Sequence, residues 1–213
     1  MPVLNEQIHD GSRWGFYGGA FDPPHVGHLE LAAALSEAES LDGILVVPSF
    51  HPPHKLPPEA SFNDRLSMCN LAFKAVDNYV DNYVVSDIES RLPTPGYTVD
   101  VISELYRRFP KAEFSVLVGA DNLRILSSWH RIETLLRLAP LVVGSRPQYE
   151  SHLRQDIIDL LPTDLQSRVH IVQTPLIDVS STTLRTKLHS GERVGADVQP
   201  DVQEYIREHG LYQ

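Results

Sequence analysis

Short apolar runs that alternate with helix-patterned stretches constrain the fold of this chain more than any other feature. The predicted strands cover residues 15–17, 43–47, 83–88, 113–118, 141–143 and 169–172. The stretches between most of them carry apolar residues at i, i+3 and i+4 spacings, which are typical of helices. Since a parallel crossover places its helix on a face of the sheet, the alternation predicts an α/β fold. We expect a Rossmann-like, doubly wound parallel sheet with helices on both faces.

The predicted helices complete this layout. One begins at His25, and the others cover residues 63–76, 98–109, 132–138, 148–161, 181–188 and 202–209. A length of 213 residues suits one domain, so we expect a single domain over residues 1–213. Its C-terminal helical part is predicted at about residues 176–213. Ligands of such folds bind beyond the carboxyl ends of the strands, where the strand order reverses.

The charge of the chain limits its partners. It has 28 acidic and 18 basic residues and a net charge of −10, whereas proteins that wrap nucleic acid usually present a basic surface. No stretch approaches the ~18 apolar residues of a membrane span, and the first residues lack the apolar core of a signal peptide. The single cysteine, Cys69, is interpreted as a small buried hydrophobe. We expect a cytoplasmic protein without nucleic-acid or membrane partners. A homo-oligomer is possible on this pattern, and the sequence does not decide it.

The first motif is GGAFDPPHVGH, residues 18–28. Glycines between a strand and a helix let the backbone approach a bulky anion, and the helix start favours phosphate. His25 and His28 have three interpretations: zinc ligands with Asp22, helix-start residues satisfied by local hydrogen bonds, or donors to a triphosphate. The third fits best, because imidazole N–H groups can stabilise charge on phosphate oxygens without a base.

The second motif is DVSSTTLR, residues 178–185. Its hydroxyl side chains have two interpretations. They cap a helix, for which one hydroxyl is enough, or they form a second helix start that donates to phosphate. In the second case Arg185 lies one turn inside the helix, where its guanidinium can neutralise two phosphate oxygens at once.

These motifs carry a family resemblance. GGAFDPPHVGH resembles the signature of the HxGH nucleotidyltransferase superfamily and, within it, the nicotinate mononucleotide adenylyltransferase family, although Pro24 stands where an aliphatic residue is more common. DVSSTTLR is similar to the ISSTxxR motif of that family, with Val179 in place of isoleucine. Further segments that resemble the family are HPPHK (51–55), GYTVD (96–100), GADNLRILSSWH (119–130) and YIREHGLY (205–212). The likeness therefore spans nearly the whole chain.

The resemblance implies roles for individual residues. The predicted catalytic residues, which neutralise phosphate charge, are His25, His28, Lys55 and Arg185. The predicted ATP-binding residues are Gly18, Gly19, Ala20, Phe21, Asp22, Gly119, Asp121, Ser180, Ser181 and Thr182. The predicted residues around the pyridine nucleotide are His54, Tyr97, Thr98, Trp129 and Arg146. Within these sets Asp121 would hold a ribose hydroxyl of ATP, and Gly96 replaces the serine of the family's SYT segment.

The implied activity is transfer of AMP from ATP to nicotinate mononucleotide, which gives deamido-NAD and pyrophosphate in NAD biosynthesis. A phosphate nucleophile with a second pKa of ~6 needs no general base. Catalysis then consists of positioning and charge neutralisation, with Mg²⁺ bridging phosphate oxygens and no dedicated protein metal site. The alternatives are a sister enzyme acting on nicotinamide mononucleotide or phosphopantetheine, a non-catalytic nucleotide-binding module, and a histidine-rich metallohydrolase.

Overall fold

A single parallel sheet forms the centre of the protein. The computed structural model describes residues 6–51, 57–74, 82–145, 161–175 and 177–213. The strands of this part of the chain are β1 (Arg13–Gly19), β2 (Gly43–Pro48), β3 (Tyr83–Val85), β4 (Glu113–Gly119), β5 (Leu141–Ser145) and β6 (Val169–Gln173). They are all parallel in the order β3-β2-β1-β4-β5-β6. The order reverses between β1 and β4, as in a doubly wound sheet. The predicted fold class is confirmed.

Helices connect the strands over both faces of the sheet. They are α1 (Val26–Glu39), α2 (Phe62–Lys74), α3 (Thr98–Arg108), α4 (Ile132–Leu138), α5 (Thr163–Gln166), α6 (Ser181–His189) and α7 (Pro200–Glu208). Three 3₁₀ helices cover Ile88–Arg91, Ala120–Ser128 and Gly195–Asp197. The predicted helix over residues 148–161 lies, except for its last residue, outside the described part. Among the described helices, none is long and apolar enough to cross a membrane.

Two hydrophobic clusters form the core, one on each face of the sheet. Trp14 and Phe16 of β1 belong to the first cluster and Tyr17 to the second, as the alternation of side chains along a strand requires. Helices α3, α4 and α5 pack into the first cluster, and α1, α2, α6 and α7 into the second. Cys69 is fully buried in the second cluster, where burial raises the pKa of its thiol. It is a core residue, as its pattern predicts.

The predicted strand ends differ from the observed ones, most of all at β1 and β3. Gly18 and Gly19, predicted to lie between the first strand and the helix, pair with Val47 and Pro48 inside the sheet, so the turn begins only at Ala20. The strand predicted over residues 83–88 ends at Val85. The Ser86 hydroxyl accepts a hydrogen bond from the Ile88 N–H (3.2 Å), and the chain turns into a 3₁₀ helix there.

Helix α1 stands at the point where the strand order reverses. It follows β1 and packs against β2, β4 and β5. Gly144 of β5 permits the close approach, because a Cβ there would lie only 2.2 Å from Cδ1 of Leu31. The first turn of α1 therefore lies beside the carboxyl ends of β1 and β4.

Candidate active site

The turn between β1 and α1 is fixed by a buried aromatic ring. Phe21 has a φ of 50°, in the left-handed region that non-glycine residues rarely adopt. Its ring is 1% exposed and packs edge-on against the ring of His28, with 5.0 Å between the ring centroids. The side chain of Phe21 thus supports the histidine from the core.

The two histidines of the first motif form a stacked pair at the start of α1. Their ring centroids are 3.7 Å apart, and the backbone N–H of His25 donates to Nδ1 of His28 (3.2 Å). When neutral, His28 therefore carries its proton on Nε2. Burial lowers the pKa of His25 to about 4, so this imidazole is neutral at pH 7. Its Nδ1 is buried without a hydrogen-bond partner among the described residues.

The second motif packs directly on the first. Ser180 caps α6 by accepting from the Thr183 N–H (3.2 Å), so the capping interpretation holds for this residue. The next hydroxyl, that of Ser181, donates to the Pro23 carbonyl oxygen (3.0 Å). Arg185 donates through Nη1 to the Asp22 carbonyl oxygen (2.8 Å). The start of α6 is therefore held against the turn that precedes the histidines.

A cavity of about 420 Å³ opens between these two helix starts. Such a volume falls within the roughly 300–1,000 Å³ of small-molecule sites. The predicted residues that line it are His25, His28, Gly119, Asp121, Ser180, Ser181 and Thr182. The imidazoles of residues 25–28 and the hydroxyls of 180–182 thus share one cavity, between the ends of β1 and β4 and the start of α6.

Comparison with known proteins agrees with this geometry. The family model described as cytidylyltransferase-like matches residues 16–187. A probable nicotinate-nucleotide adenylyltransferase of Thermomicrobium roseum is 38% identical over 202 residues, which cover 94% of this chain and 92% of the relative. One of Oceanobacillus iheyensis is 36% identical, with 93% and 95% covered. This chain belongs to the nicotinate-nucleotide adenylyltransferase family.

Solved structures share the fold of this nucleotidyltransferase. A Plasmodium falciparum nicotinic acid mononucleotide adenylyltransferase complexed with NaAD superposes with a TM-score of 0.73 at 18% identity, covering 94% of this chain and 97% of that one. The same enzyme complexed with APC gives a TM-score of 0.71 at 18% identity, with 96% and 98% covered. At these identities the likeness concerns the fold alone.

Several residues predicted to bind ATP lie outside the cavity lining of the nucleotidyltransferase. They are Gly18, Gly19, Ala20, Phe21 and Asp22. The Asp22 carboxylate is buried and accepts from the backbone N–H groups of Glu59 (2.8 Å) and Ala60 (3.0 Å) and from the Tyr212 hydroxyl (2.7 Å). Arg185, predicted to be catalytic, also lies outside the lining, and its Nε donates to Oε1 of Glu59 (2.8 Å). Both side chains support the turn in this structure.

The residues predicted around the pyridine nucleotide form a separate group. The rings of Tyr97 and His130 stack with 4.1 Å between their centroids, and Trp129 packs on the first core cluster. Thr98 is the first residue of α3, and Tyr97 is the N-cap of this helix. None of the three predicted residues lines the cavity between the helix starts. His54, Lys55 and Arg146 lie outside the described residues, so their predicted roles stay predictions.

Gly96, which replaces the family's serine, is packed against a buried carboxyl group. A Cβ at this position would lie 2.4 Å from Cγ of Glu89. Glu89 is 6% exposed and accepts from the Phe50 N–H (2.8 Å), and burial raises its pKa to about 7. The serine is therefore incompatible with this position of Glu89.

Sequence reasoning missed two arginines near the site. Arg124 lines the cavity, on the 3₁₀ helix that follows β4 and one turn beyond Asp121. Arg65 is 1% exposed, and its Nη1 donates to the Ala20 carbonyl oxygen (2.8 Å), which fixes the turn after β1. Its helical spacing to the apolar Met68, Cys69 and Ala72 is a signal that could have revealed a buried cation.

The zinc interpretation of the histidines finds no support in the part of the chain that is described. There, no group of three or more histidine, cysteine, aspartate or glutamate side chains could hold a metal ion. Asp22, the carboxylate that this interpretation pairs with them, is already used by two backbone N–H groups and a hydroxyl.

Proposed function

We propose that this enzyme transfers AMP from ATP to nicotinate mononucleotide, forming deamido-NAD and pyrophosphate. The observation that carries the proposal is the single cavity shared by the imidazoles of His25 and His28 and the hydroxyls that open α6. Two helix starts that face one cavity suit a ligand carrying several phosphates. The names of the relatives, together with the length over which they match, support the pyridine nucleotide as acceptor.

The triphosphate of ATP is assigned to the cavity. The backbone N–H of Ser181 and the Thr182 side chain would donate to its outer phosphates, while the Ser181 hydroxyl keeps its bond to Pro23. Arg185 and Lys55 would neutralise the phosphate charge. Arg185 must then exchange its contact with Glu59 for phosphate oxygens. Asp121, which lines the cavity at the end of β4, is assigned to a ribose hydroxyl of the adenosine.

The reaction needs no general base. A phosphate oxygen of the mononucleotide attacks the α-phosphorus of ATP in line, and the bond between the α-phosphorus and the bridging oxygen breaks as pyrophosphate leaves. Neutral imidazoles are suited to this step because they donate N–H groups without giving up a proton. Burial keeps His25 neutral, and the hydrogen bond at Nδ1 of His28 orients its Nε2–H. Both would stabilise charge that develops on the phosphate oxygens.

The pyridine ring is assigned to the group formed by Tyr97, Thr98 and Trp129. The family resemblance adds His54 and Arg146 as further predicted contacts. Backbone donors near residues 96–98 suit a carboxylate, which only accepts hydrogen bonds, whereas an amide also needs an acceptor. We therefore favour nicotinate over nicotinamide mononucleotide.

Mg²⁺ fits the donors of the cavity as a partner of the substrate. Asp121 is the one carboxylate among the described lining residues, and Mg²⁺ commonly binds substrate phosphates with few protein ligands and several waters. When bound, the ion neutralises phosphate charge. We assign the reaction to the cytoplasm, in keeping with the absence of any membrane-spanning helix from the described residues.

A substrate panel tests the proposal. The purified protein would be incubated with Mg²⁺, either ATP or CTP, and one of three acceptors: nicotinate mononucleotide, nicotinamide mononucleotide or phosphopantetheine. Pyrophosphate release gives the rate, and mass spectrometry identifies the product. We expect the highest kcat/KM for ATP with nicotinate mononucleotide. No product with either mononucleotide, or a higher kcat/KM with phosphopantetheine, would contradict the proposal.

A further inference from the structure

The Asp22–Pro23 turn connects the two phosphate-binding motifs. Two residues of α6 donate hydrogen bonds to its carbonyl oxygens. The Arg185 guanidinium donates to that of Asp22 (2.8 Å), and the Ser181 hydroxyl donates to that of Pro23 (3.0 Å). Any displacement of this turn therefore moves the start of α6 relative to the histidines of α1. What holds the turn in place thus also sets the width of the cavity.

The carboxylate of Asp22 anchors the turn in the protein interior. Asp22 is 3% exposed, and three donors converge on its two oxygens. Two are backbone N–H groups of the loop before α2, from Glu59 and Ala60. The third is the hydroxyl of Tyr212, which reaches Oδ1 at 2.7 Å from beyond the end of α7. Nη1 of Arg185 lies 3.7 Å from Oδ2.

Tyr212 is built to act as a donor. Its ring is 5% exposed within the second core cluster, and its φ of 58° lies in the left-handed region, so the surrounding packing fixes its position. Burial and the neighbouring Asp22 carboxylate both raise the pKa of the phenol, so the hydroxyl keeps its proton. A hydrogen bond from a neutral donor to a buried carboxylate is among the stronger ones in proteins.

We infer that Tyr212 is a positioning residue for the proposed reaction: through Asp22 it fixes the 22–23 turn, and through the turn it fixes Ser181 and Arg185 of α6 at the triphosphate site. The inference rests on the proposed function for the identity of the ligand. It adds a residue that touches neither substrate and that comes from an element outside both phosphate motifs.

The inference makes a selective prediction for the Tyr212→Phe variant. The ring and its packing remain, and only the donor to Asp22 is lost. A misplacement on the order of 1 Å can lower a rate ~100-fold. The loss of one hydrogen bond should displace α6 by less than this, so we expect the KM for ATP to rise about tenfold. The KM for nicotinate mononucleotide should stay within about twofold, since the Tyr97–Trp129 group lies outside this cavity. General destabilisation would not distinguish the two substrates.

Tyr205→Phe is the matched control. Tyr205, in α7, also donates to an aspartate, Oδ1 of Asp64 at 3.0 Å, and this pair makes no hydrogen bond to residues 22–23 in the described part of the chain. Both variants lose one hydrogen bond between a tyrosine and an aspartate. Their melting temperatures report the general cost of that loss to stability, and only Tyr212→Phe should weaken the binding of ATP.

Calorimetric titration with α,β-methylene-ATP and Mg²⁺ completes the test. An irreversibly inactive fraction changes only the stoichiometry, and at a temperature well below the melting temperature of each variant reversible unfolding does not raise the apparent Kd. We expect the Kd of Tyr212→Phe to be about tenfold higher than that of the wild type and of Tyr205→Phe. If the wild type binds the analogue and forms the dinucleotide, but the two variants have equal Kd values, the inference is wrong and the proposed function stands. If the wild type neither binds the analogue nor forms product, the proposed function itself fails.

Discussion

Replacing Gly27 by alanine is the sharpest test of how closely the two helix starts must approach. Gly27 lies between the paired histidines, and a Cβ there would be 3.0 Å from Cγ1 of Val179 and 3.1 Å from Nδ1 of His25. Carbon atoms in contact are normally about 3.5–4.0 Å apart. The methyl group therefore fits only if α1 and the segment before α6 move apart by a few tenths of an ångström.

The size of the effect follows from this displacement. A misplacement of about 1 Å can cost ~100-fold in rate, so a shift of a few tenths of an ångström should cost about threefold to tenfold, equivalent to at most ~1.4 kcal/mol of transition-state stabilisation. Stability should change little, because alanine is preferred over glycine in helices by up to ~1 kcal/mol, which offsets the local repacking. We expect kcat to fall about threefold to tenfold while the free energy of unfolding changes by less than ~1 kcal/mol.

Pyrophosphate release at saturating substrates, together with urea unfolding, measures the two quantities. Glu37→Ala, an exposed change on the same helix, is the control for effects on α1 as a whole. The double variant Gly27→Ala/Val179→Ala removes the nearest obstructing methyl group and should recover much of the lost rate. If Gly27→Ala keeps kcat within twofold of the wild type, the close approach of the two helix starts is not needed for turnover.

Three further predictions address single groups. His28→Ala should lower kcat at least ~100-fold, the scale of losing one transition-state donor, and near-normal turnover of the folded variant would refute that role. Trp129→Ala should raise the KM for the pyridine nucleotide and leave the KM for ATP nearly unchanged. An equal rise in both KM values would argue against the assignment of Trp129 to the pyridine pocket. Burial raises the pKa of Glu89 from 4.5 to about 7, so the folded protein holds a proton there that the unfolded chain releases between these pH values. Its stabilising effect is complete below pH 4.5 and is lost as the pH rises through 7. Relative to the wild type, Glu89→Gln should therefore gain up to ~3 kcal/mol between pH 5 and 8 in urea unfolding, and a constant difference would show that Glu89 is already ionised when folded.

The fold could be predicted from the sequence because the core follows a local pattern. Apolar runs such as 43–47 and 113–118 are buried strands, since a parallel sheet covered on both faces needs apolar residues in succession. The end of β3 was missed because it depends on one side-chain hydrogen bond, from the Ile88 N–H to Ser86, which apolar periodicity does not register.

The candidate site likewise contains residues that local sequence motifs predict and residues that only long-range contacts place there. His25, His28 and the hydroxyls of 180–182 could be predicted, because each lies in a short motif after a strand and the sheet topology brings these motifs together. The contacts that Arg65 and Tyr212 make at the site could not, although helical spacing could have shown that Arg65 is buried, because their partners Ala20 and Asp22 lie 45 and 190 residues away. A buried polar contact over such a separation leaves no local spacing to detect.

The hydrogen bond from Ser181 to the Pro23 carbonyl joins residues 158 positions apart in the chain. During synthesis the early half of the cavity is therefore complete in sequence long before the half that faces it emerges from the ribosome. Contacts of such high sequence separation are slow to form, because a long loop must close before they contribute. Nucleotide affinity should accordingly appear as one of the last events of folding, after the sheet has assembled.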